Sequence, residues 1–196
     1  MSSEISNKEK EMITLIKSFY DEERTKPKSR GYFDSDNNQT GEWTYWYEDG
    51  NVKSKGSYDY GDRTGEWTYW YSNGNVKSKG SYDYDDRTGE WKFYHENGNA
   101  ESKGSYNAGD RTGEWTEWYS NGNVKSKGSY NDEGYRTGEW TVWYEDGNLK
   151  SKGSHDYGYR TGVWTEWYSN GNVKYKGCYN DGYKIGNGHM GMQLVV

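Results

Sequence analysis

A tryptophan two residues after a glycine returns six times along this 196-residue chain, and no other feature restricts its fold as tightly. The glycines are Gly41, Gly65, Gly89, Gly113, Gly138 and Gly162, at intervals of 24, 24, 24, 25 and 24 residues. A second glycine lies nine residues after each, from Gly50 to Gly171, and a third lies fifteen after each, from Gly56 to Gly177. A fixed period of this length marks one supersecondary unit stacked on copies of itself, each touching mainly its neighbours.

Each copy reads as a β-hairpin. Trp43 to Tyr47 is rich in aromatic and threonine side chains, which suits a strand. Asp49-Gly50 follows, replaced by Asn73-Gly74 or Asn121-Gly122 in other copies, and such pairs favour a two-residue type I′ turn. Val52 to Tyr58 is the return strand, and Asp59 to Thr64 leads to the next copy. The one change of length falls in this connector, between Asn131 and Thr137. A two-residue turn predicts Tyr45 opposite Ser54 and Trp43 opposite Gly56, with the glycine leaving room for an indole over the neighbouring strand. It also predicts Trp46 opposite Lys53 on the other face, repeated as Trp70 with Lys77, Trp118 with Lys125, Trp143 with Lys150 and Trp167 with Lys174. The third copy departs, with Tyr94 facing Glu101.

Both ends differ from the repeat. Lys28 to Asp34 matches a return strand without its first strand. Before it, Ser6 and Glu9 have the spacing of a helix capping box, and Met12, Leu15, Ile16, Phe19 and Tyr20 recur at helical spacing. The spacing predicts a helix near Asn7 to Glu23 that ends before Pro27 and covers the sheet edge. At the other end Met190, Met192, Leu194 and Val196 alternate with other residues, which predicts a closing strand. The expected organisation is a helical segment over 1–27, a repeat array over 28–183 and a closing strand within 184–196. The fold class is mainly β: an elongated single-layer antiparallel β-meander of tandem hairpins with a short N-terminal α-helix.

Composition decides whether such a chain can fold. Leu, Ile, Val and Phe total 18 of 196 residues, a level usual for disordered chains. Eleven tryptophans and 22 tyrosines reverse that reading, because each ring buries a large area when it packs. A net charge of −6 disfavours nucleic acid as a partner. The single cysteine, Cys178, excludes an internal disulfide framework and suits a reducing compartment. With a charged N-terminus and no long apolar run, the expected location is the cytoplasm.

Catalysis finds no support. His95 stands where other copies carry Tyr47 or Tyr71, and His155 stands where they carry Tyr58 or Tyr82, so both read as members of an aromatic ladder. Glu42, Glu66, Glu90, Glu114 and Glu139 repeat with the array, whereas an active site needs one unsymmetrical constellation. The expectation is no enzyme, no metal site and no cofactor. Trp43, Trp67, Trp91, Trp115, Trp140 and Trp164 read as structural. The second aromatic row, Trp46, Trp70, Tyr94, Trp118, Trp143 and Trp167, is divided between packing and partner contact, since a single-layer sheet leaves one face over. Lys53, Lys77, Lys125, Lys150 and Lys174 join that row as candidate partner-binding residues. Arg63, Arg87, Arg111, Arg136 and Arg160 are expected to pair with carboxylates. The variable slot of Tyr45, Tyr69, Phe93, Glu117, Val142 and Glu166 is expected to tune a partner surface.

The pattern G-x-W-x-x-W-Y-x-x-G-x-V-x-x-x-G-x-Y, running from Lys28 to Lys184, resembles the bacterial MORN-repeat variant of YwqK-family antitoxin-like proteins. The resemblance implies a single-layer meander that contacts protein or, in some members, lipid. The antitoxin likeness implies a cytoplasmic immunity or neutralising role. The first expectation is therefore a scaffold for a protein partner. Its rivals are a membrane-phospholipid adaptor using the lysine ladder and a glycan- or choline-binding surface module.

Overall fold

The computed structural model describes residues 14–187. Fifteen strands form one open antiparallel sheet in strict chain order. β1 is Thr14–Phe19 and β2 is Pro27–Phe33. The six copies follow as β3 Gln39–Trp46 with β4 Val52–Asp59, β5 Asp62–Trp70 with β6 Val76–Asp83, and β7 Asp86–Tyr94 with β8 Ala100–Asn107. Next come β9 Asp110–Trp118 with β10 Val124–Tyr130, β11 Arg136–Trp143 with β12 Leu149–Asp156, and β13 Tyr159–Trp167 with β14 Val173–Asn180. β15, Tyr183–Asn187, is the last described strand. The expected strand over Met190 to Val196 lies outside the described residues.

The register agrees with the sequence near the strand centres and departs from it at the turn. Trp43 is opposite Gly56, Thr44 opposite Lys55 and Tyr45 opposite Ser54. Trp46, however, pairs with Val52, and Lys53 is an extra residue between the two. The Asp-Gly turn is longer than two residues. Tyr47 N–H donates to Asn51 O at 2.8 Å, and Gly50 N–H donates to Tyr47 O at 3.0 Å. Gly50 alone has a positive φ, 91°, so the hairpin is a three-residue loop ending in a left-handed glycine. Asp49 Oδ1 accepts from Asn51 N–H at 2.9 Å, and this side-chain cap favours the longer loop. The two-residue type I′ turns lie in the connectors instead. Asp59 pairs with Asp62 across Tyr60 and Gly61, whose φ values are 48° and 93°. The extra residue between Asn131 and Thr137 converts that turn to the three-residue form, with Asn131 N–H on Tyr135 O and Gly134 N–H on Asn131 O.

The glycine of each Gly-x-Trp triplet bends its strand. On β6 and β7, Lys79 pairs with Lys92 and Ser81 with Thr88, so Gly89, Glu90 and Trp91 together oppose Gly80. Gly89 takes φ 61° at this bulge. The bend folds the Trp91 indole flat over Gly80, where a Cβ would lie 2.3–2.5 Å from the ring carbons. Gly56 likewise receives Trp67, and Gly31 of the half-repeat receives Trp43. The clearance glycine is therefore filled by the indole of the following copy, not by the tryptophan across its own hairpin. This contact ties one copy to the next, and it explains why the array opens with a lone return strand.

The core is a single file of rings along one face. From Trp43, the rings of Tyr58, Trp67, Tyr82, Trp91 and Tyr106 meet edge-to-face with centroids 5.1–6.2 Å apart. The file continues through Trp115, Tyr130, Trp140, His155, Trp164 and Tyr179. The six tryptophans are 0–3% exposed. Each contributes roughly 5 kcal/mol of gross apolar burial, taking about 200 Å² per ring at about 25 cal/mol per Å². This is how a chain so poor in aliphatic residues holds together.

At the N-terminus the structure corrects the expected helix. Residues 14–19 are strand β1, which pairs with β2 from Thr14↔Phe33 to Phe19↔Pro27, and a turn follows at Asp21 to Arg24. The part of the expected helix before Thr14 lies outside the described residues. A short apolar run fits either period, and the open edge of β2 offers backbone partners that select the strand.

Candidate functional site

The two faces of the sheet have different chemistry. On the inner face an arginine precedes the Gly-x-Trp triplet by two residues in five of the six copies, Gln39 taking its place in the first, and lies over the rings. Its guanidinium carbon is 4.0 Å from the Tyr82 ring centroid for Arg63, 4.1 Å from Trp115 for Arg111, and 4.2 Å from Trp140 for Arg136. Arg87 covers Trp91 at 4.7 Å, and Arg160 covers Trp164 at 4.2 Å. The expected carboxylate pairing occurs at Arg63 with Asp85 (2.6 Å), Arg111 with Glu117 (3.1 Å) and Arg160 with Glu166 (2.9 Å). Arg87 and Arg136 are placed by the rings. Burial opposes the Arg63 charge, but hydrogen bonds to Asp85 and Tyr69 outweigh it and raise its pKa. Burial also raises the Tyr58 phenol, helped by its bond to Tyr45.

This face is occupied by its own contacts. The variable slot expected to tune a partner surface packs here: Tyr45 stacks on Trp43 at 5.7 Å, and Glu117 accepts from Ser126 Oγ at 3.1 Å. His155 takes a tyrosine place in the ring file, and His95 Nε2 bonds Trp118 O at 2.9 Å, where tyrosines of other copies donate their hydroxyl. Cys178 is half-buried opposite Val163, in the slots that Ser57 and Glu42 fill on the outer face of the first copy.

The outer face carries the second aromatic row. Trp46, Trp70, Tyr94, Trp118, Trp143 and Trp167 are all half-buried. They pair with Val52, Val76, Ala100, Val124, Leu149 and Val173, giving one aromatic–aliphatic step per copy. Beside them runs a ladder of ion pairs: Lys55–Glu42 at 3.1 Å, Lys103–Glu90 at 2.9 Å, Lys127–Glu114 at 2.7 Å and Lys152–Glu139 at 3.0 Å. In the third copy Lys92 also reaches Glu90, at 2.9 Å, and together Lys103 and Lys92 hold that carboxyl below its usual range. These lysines are largely neutralised where they stand. A groove of about 570 Å³ crosses this ladder, lined by Glu66, Thr68, Lys79, Glu90 and Lys92.

The other candidate lysines do not join the tryptophan row. The extra residue in each return strand turns them toward the neighbouring tyrosine. Lys53 lies 5.7 Å from the Tyr47 ring, Lys77 5.6 Å from Tyr71, Lys150 5.4 Å from Tyr144 and Lys174 5.9 Å from Tyr168. Lys125 holds the same bulge position between Val124 and Ser126 and is exposed. The expected lysine–indole pairs are therefore absent, because that register needed a two-residue turn. Lys53 lines an inner-face hollow with Tyr45, Ser54 and Arg63. Trp46 borders an outer-face hollow with Glu42, Thr44 and Lys55.

The two rims complete the surface. Along the hairpin rim, the Tyr47, Tyr71, Tyr119 and Tyr144 hydroxyls donate to Trp70, Tyr94, Trp143 and Trp167 carbonyls of the following copies, each at 2.8 Å. Along the connector rim Tyr60, Tyr84, Tyr135, Tyr157, Tyr159 and Tyr183 are 51–78% exposed. Nothing in the repeat pattern singles out this second group, although one slot carries a signal. The residue before each arginine is Asp62, Asp86 and Asp110 in successive copies, then Tyr135 and Tyr159. Among the described residues, no group of three His, Cys, Asp or Glu side chains is placed to hold a metal ion.

Residues 39–60, 63–84, 87–108, 111–132, 136–157 and 160–181 each match the family model described as the MORN repeat variant. These boundaries follow the hairpin copies of the sheet. No curated protein matches the chain.

Proposed function

The chain belongs to the MORN-repeat family, and from that premise we propose that it is a non-catalytic scaffold whose outer face holds a protein partner. The observation that carries this reading is the half-buried row Trp46, Trp70, Tyr94, Trp118, Trp143 and Trp167. The fully buried core lies on the inner face, and the fold covers this second row only in part. Half-exposed tryptophans at regular spacing are the side chains that dominate protein interfaces. The sheet is preformed, which limits the ordering cost of binding. The finer reading is a cytoplasmic, antitoxin- or immunity-like role, in which a partner is neutralised by being held along the ribbon. The phospholipid alternative loses the charge of Lys55, Lys103, Lys127 and Lys152, offset by glutamates 2.7–3.1 Å away, and would rest on Lys53, Lys77, Lys125, Lys150 and Lys174.

The test is capture of cross-linked partners by the intact chain and by a Trp70→Ser/Trp118→Ser/Trp143→Ser variant, with flotation on vesicles containing phosphatidylserine in parallel. A protein captured by the parent and lost by the folded variant supports the scaffold reading. Vesicle binding that weakens steeply with salt, with no captured protein, overturns it in favour of the lipid adaptor.

A further inference from the structure

The C-terminal half of the connector rim combines exposed aromatic surface with acidic charge. Tyr135, Tyr157, Tyr159 and Tyr183 are 51%, 58%, 61% and 78% exposed. They form a row, not scattered singles. The Tyr135 and Tyr157 rings are 6.4 Å apart. Tyr135 lies against the Gly158 backbone, where a Cβ would meet its Cδ1 at 3.7 Å, and Tyr159 lies against Gly182 in the same way at 3.2 Å. Each ring thus rests on the turn of the next copy and turns its free side to solvent.

The charges beside this row are negative. Asp132 and Glu133 occupy the longer loop, Asp156 pairs directly with Tyr159, and Asp181 sits in the turn before Tyr183; all four are exposed. The nearby cations point elsewhere. Arg136 and Arg160 lie over Trp140 and Trp164 at 4.2 Å, and Lys184 lies over Tyr175 at 4.1 Å. Free tyrosine faces beside uncompensated carboxylates suit a guanidinium or ammonium group, which can use ring and charge together.

The spacing adds a length scale. One copy advances two strands, about 10 Å at about 4.8 Å per strand. An extended segment in the polyproline-II form has three residues per turn and rises about 3.1 Å per residue, so every third side chain faces the same way about 9 Å along, close to one copy.

We infer that this rim is a docking surface for an extended, arginine- or lysine-rich protein segment, with Tyr135, Tyr159 and Tyr183 each receiving a basic side chain from about every third residue. The inference rests on the scaffold reading but assigns a different surface and a stated partner chemistry.

The probe is a fluorescein-labelled (Arg-Ser-Ser)6 peptide, followed by anisotropy with the full chain at low and high salt. A second peptide of equal composition has all its arginines in one block. The intact chain should bind the spaced peptide more tightly than the block, and the affinity should fall as salt rises. Tyr135→Ser/Tyr159→Ser/Tyr183→Ser should weaken binding by roughly tenfold or more, as expected for loss of several interface aromatics. The matching Tyr→Phe variant should keep most of the affinity, because the rings remain. All three side chains are exposed, so far-UV circular dichroism should be unchanged, and a folded serine variant that binds like the parent overturns the inference. So does an intact chain that binds neither peptide or prefers the block. If the peptide result is negative while partner capture still depends on Trp70, Trp118 and Trp143, the rim assignment alone fails and the scaffold reading stands.

Discussion

Gly80→Ala isolates the contact on which the array depends. An added Cβ would sit 2.3–2.5 Å from the Trp91 ring carbons. Ordinary carbon contacts begin near about 3.5 Å, so the indole would have to withdraw by about 1 Å. It has little room to do so. Trp91 is 0% exposed, held between Tyr82 at 5.1 Å and Tyr106 at 6.2 Å, covered by Arg87 at 4.7 Å and bonded through Nε1 to Ser81 O at 3.0 Å. Overpacking of this kind costs about 1–3 kcal/mol, and losing the indole hydrogen bond adds about 1 kcal/mol. The expected destabilisation is about 2–4 kcal/mol. Gly74→Ala is the control, since its φ is +87° but nothing lies within 4 Å of an added Cβ. It should cost only the left-handed backbone penalty, about 1–2 kcal/mol. Urea unfolding followed by tryptophan fluorescence and far-UV circular dichroism gives both values. Repeating Gly80→Ala in a Trp91→Ala background should recover most of its cost, because the clashing partner is gone. The reasoning fails if Gly80→Ala is no worse than Gly74→Ala, or if its cost is the same with and without the Trp91 ring.

Three further outcomes follow from particular contacts. Tyr71→Phe deletes the hydroxyl that donates to Tyr94 O at 2.8 Å and should lower stability by about 1 kcal/mol, read as a fall in the urea midpoint with an unchanged slope. Burial, followed by the charges of Arg136 and Arg160, pushes the His155 pKa from 6.5 down to about 4. The unfolded chain therefore binds the extra proton first, so stability should decline as pH falls from about 6.5 toward 4. His155→Tyr, which restores the residue used in other copies, should flatten that decline in unfolding curves measured at several pH values. Asp85→Gly relieves a left-handed non-glycine residue at φ 69° but removes the 2.6 Å ion pair with Arg63, which is partly exposed. The two effects nearly offset at low salt, and in about 1 M salt, where the pair is screened, the glycine variant should become the more stable chain.

Much of this architecture was legible because the repeat states each rule six times. Strand positions, the half-repeat, the opposition of Trp43 to Gly56 and the buried aromatic file all followed from residue type and spacing. The failures share a cause: two geometries competed, and only three-dimensional context could choose. Asp49-Gly50 serves a two-residue or a three-residue turn, and the Asp49 side chain favours the longer one. That one-residue difference moved Lys53 from the tryptophan row to Tyr47. Leu15, Ile16 and Phe19 fit a helix, but β2 needed a neighbour. The arginine row pairs with carboxylates at Arg63, Arg111 and Arg160 as the sequence suggests, but spacing along the chain does not show that a bulge brings Arg87 over Trp91. Of the candidate site, the tryptophan row was readable as a row. The tyrosine rim was not, because its residues lie in connectors read as loops.

The clasping of both rims has a consequence for the chain as a ruler. Tyr47 reaches forward to Trp70 O, Gly61 N–H reaches back to Gln39 O at 2.9 Å, and Trp67 rests on Gly56. The other junctions repeat these links, with His95 and Asp85 standing in at one position each, except at the longer loop from Asp132 to Gly134, where Gly134 N–H bonds Asn131 O in place of the backward bond. Excising or duplicating one whole 24-residue period away from that loop leaves each remaining junction with the links it has now. Reach can therefore be lengthened or shortened in steps of about 10 Å without inventing a new contact.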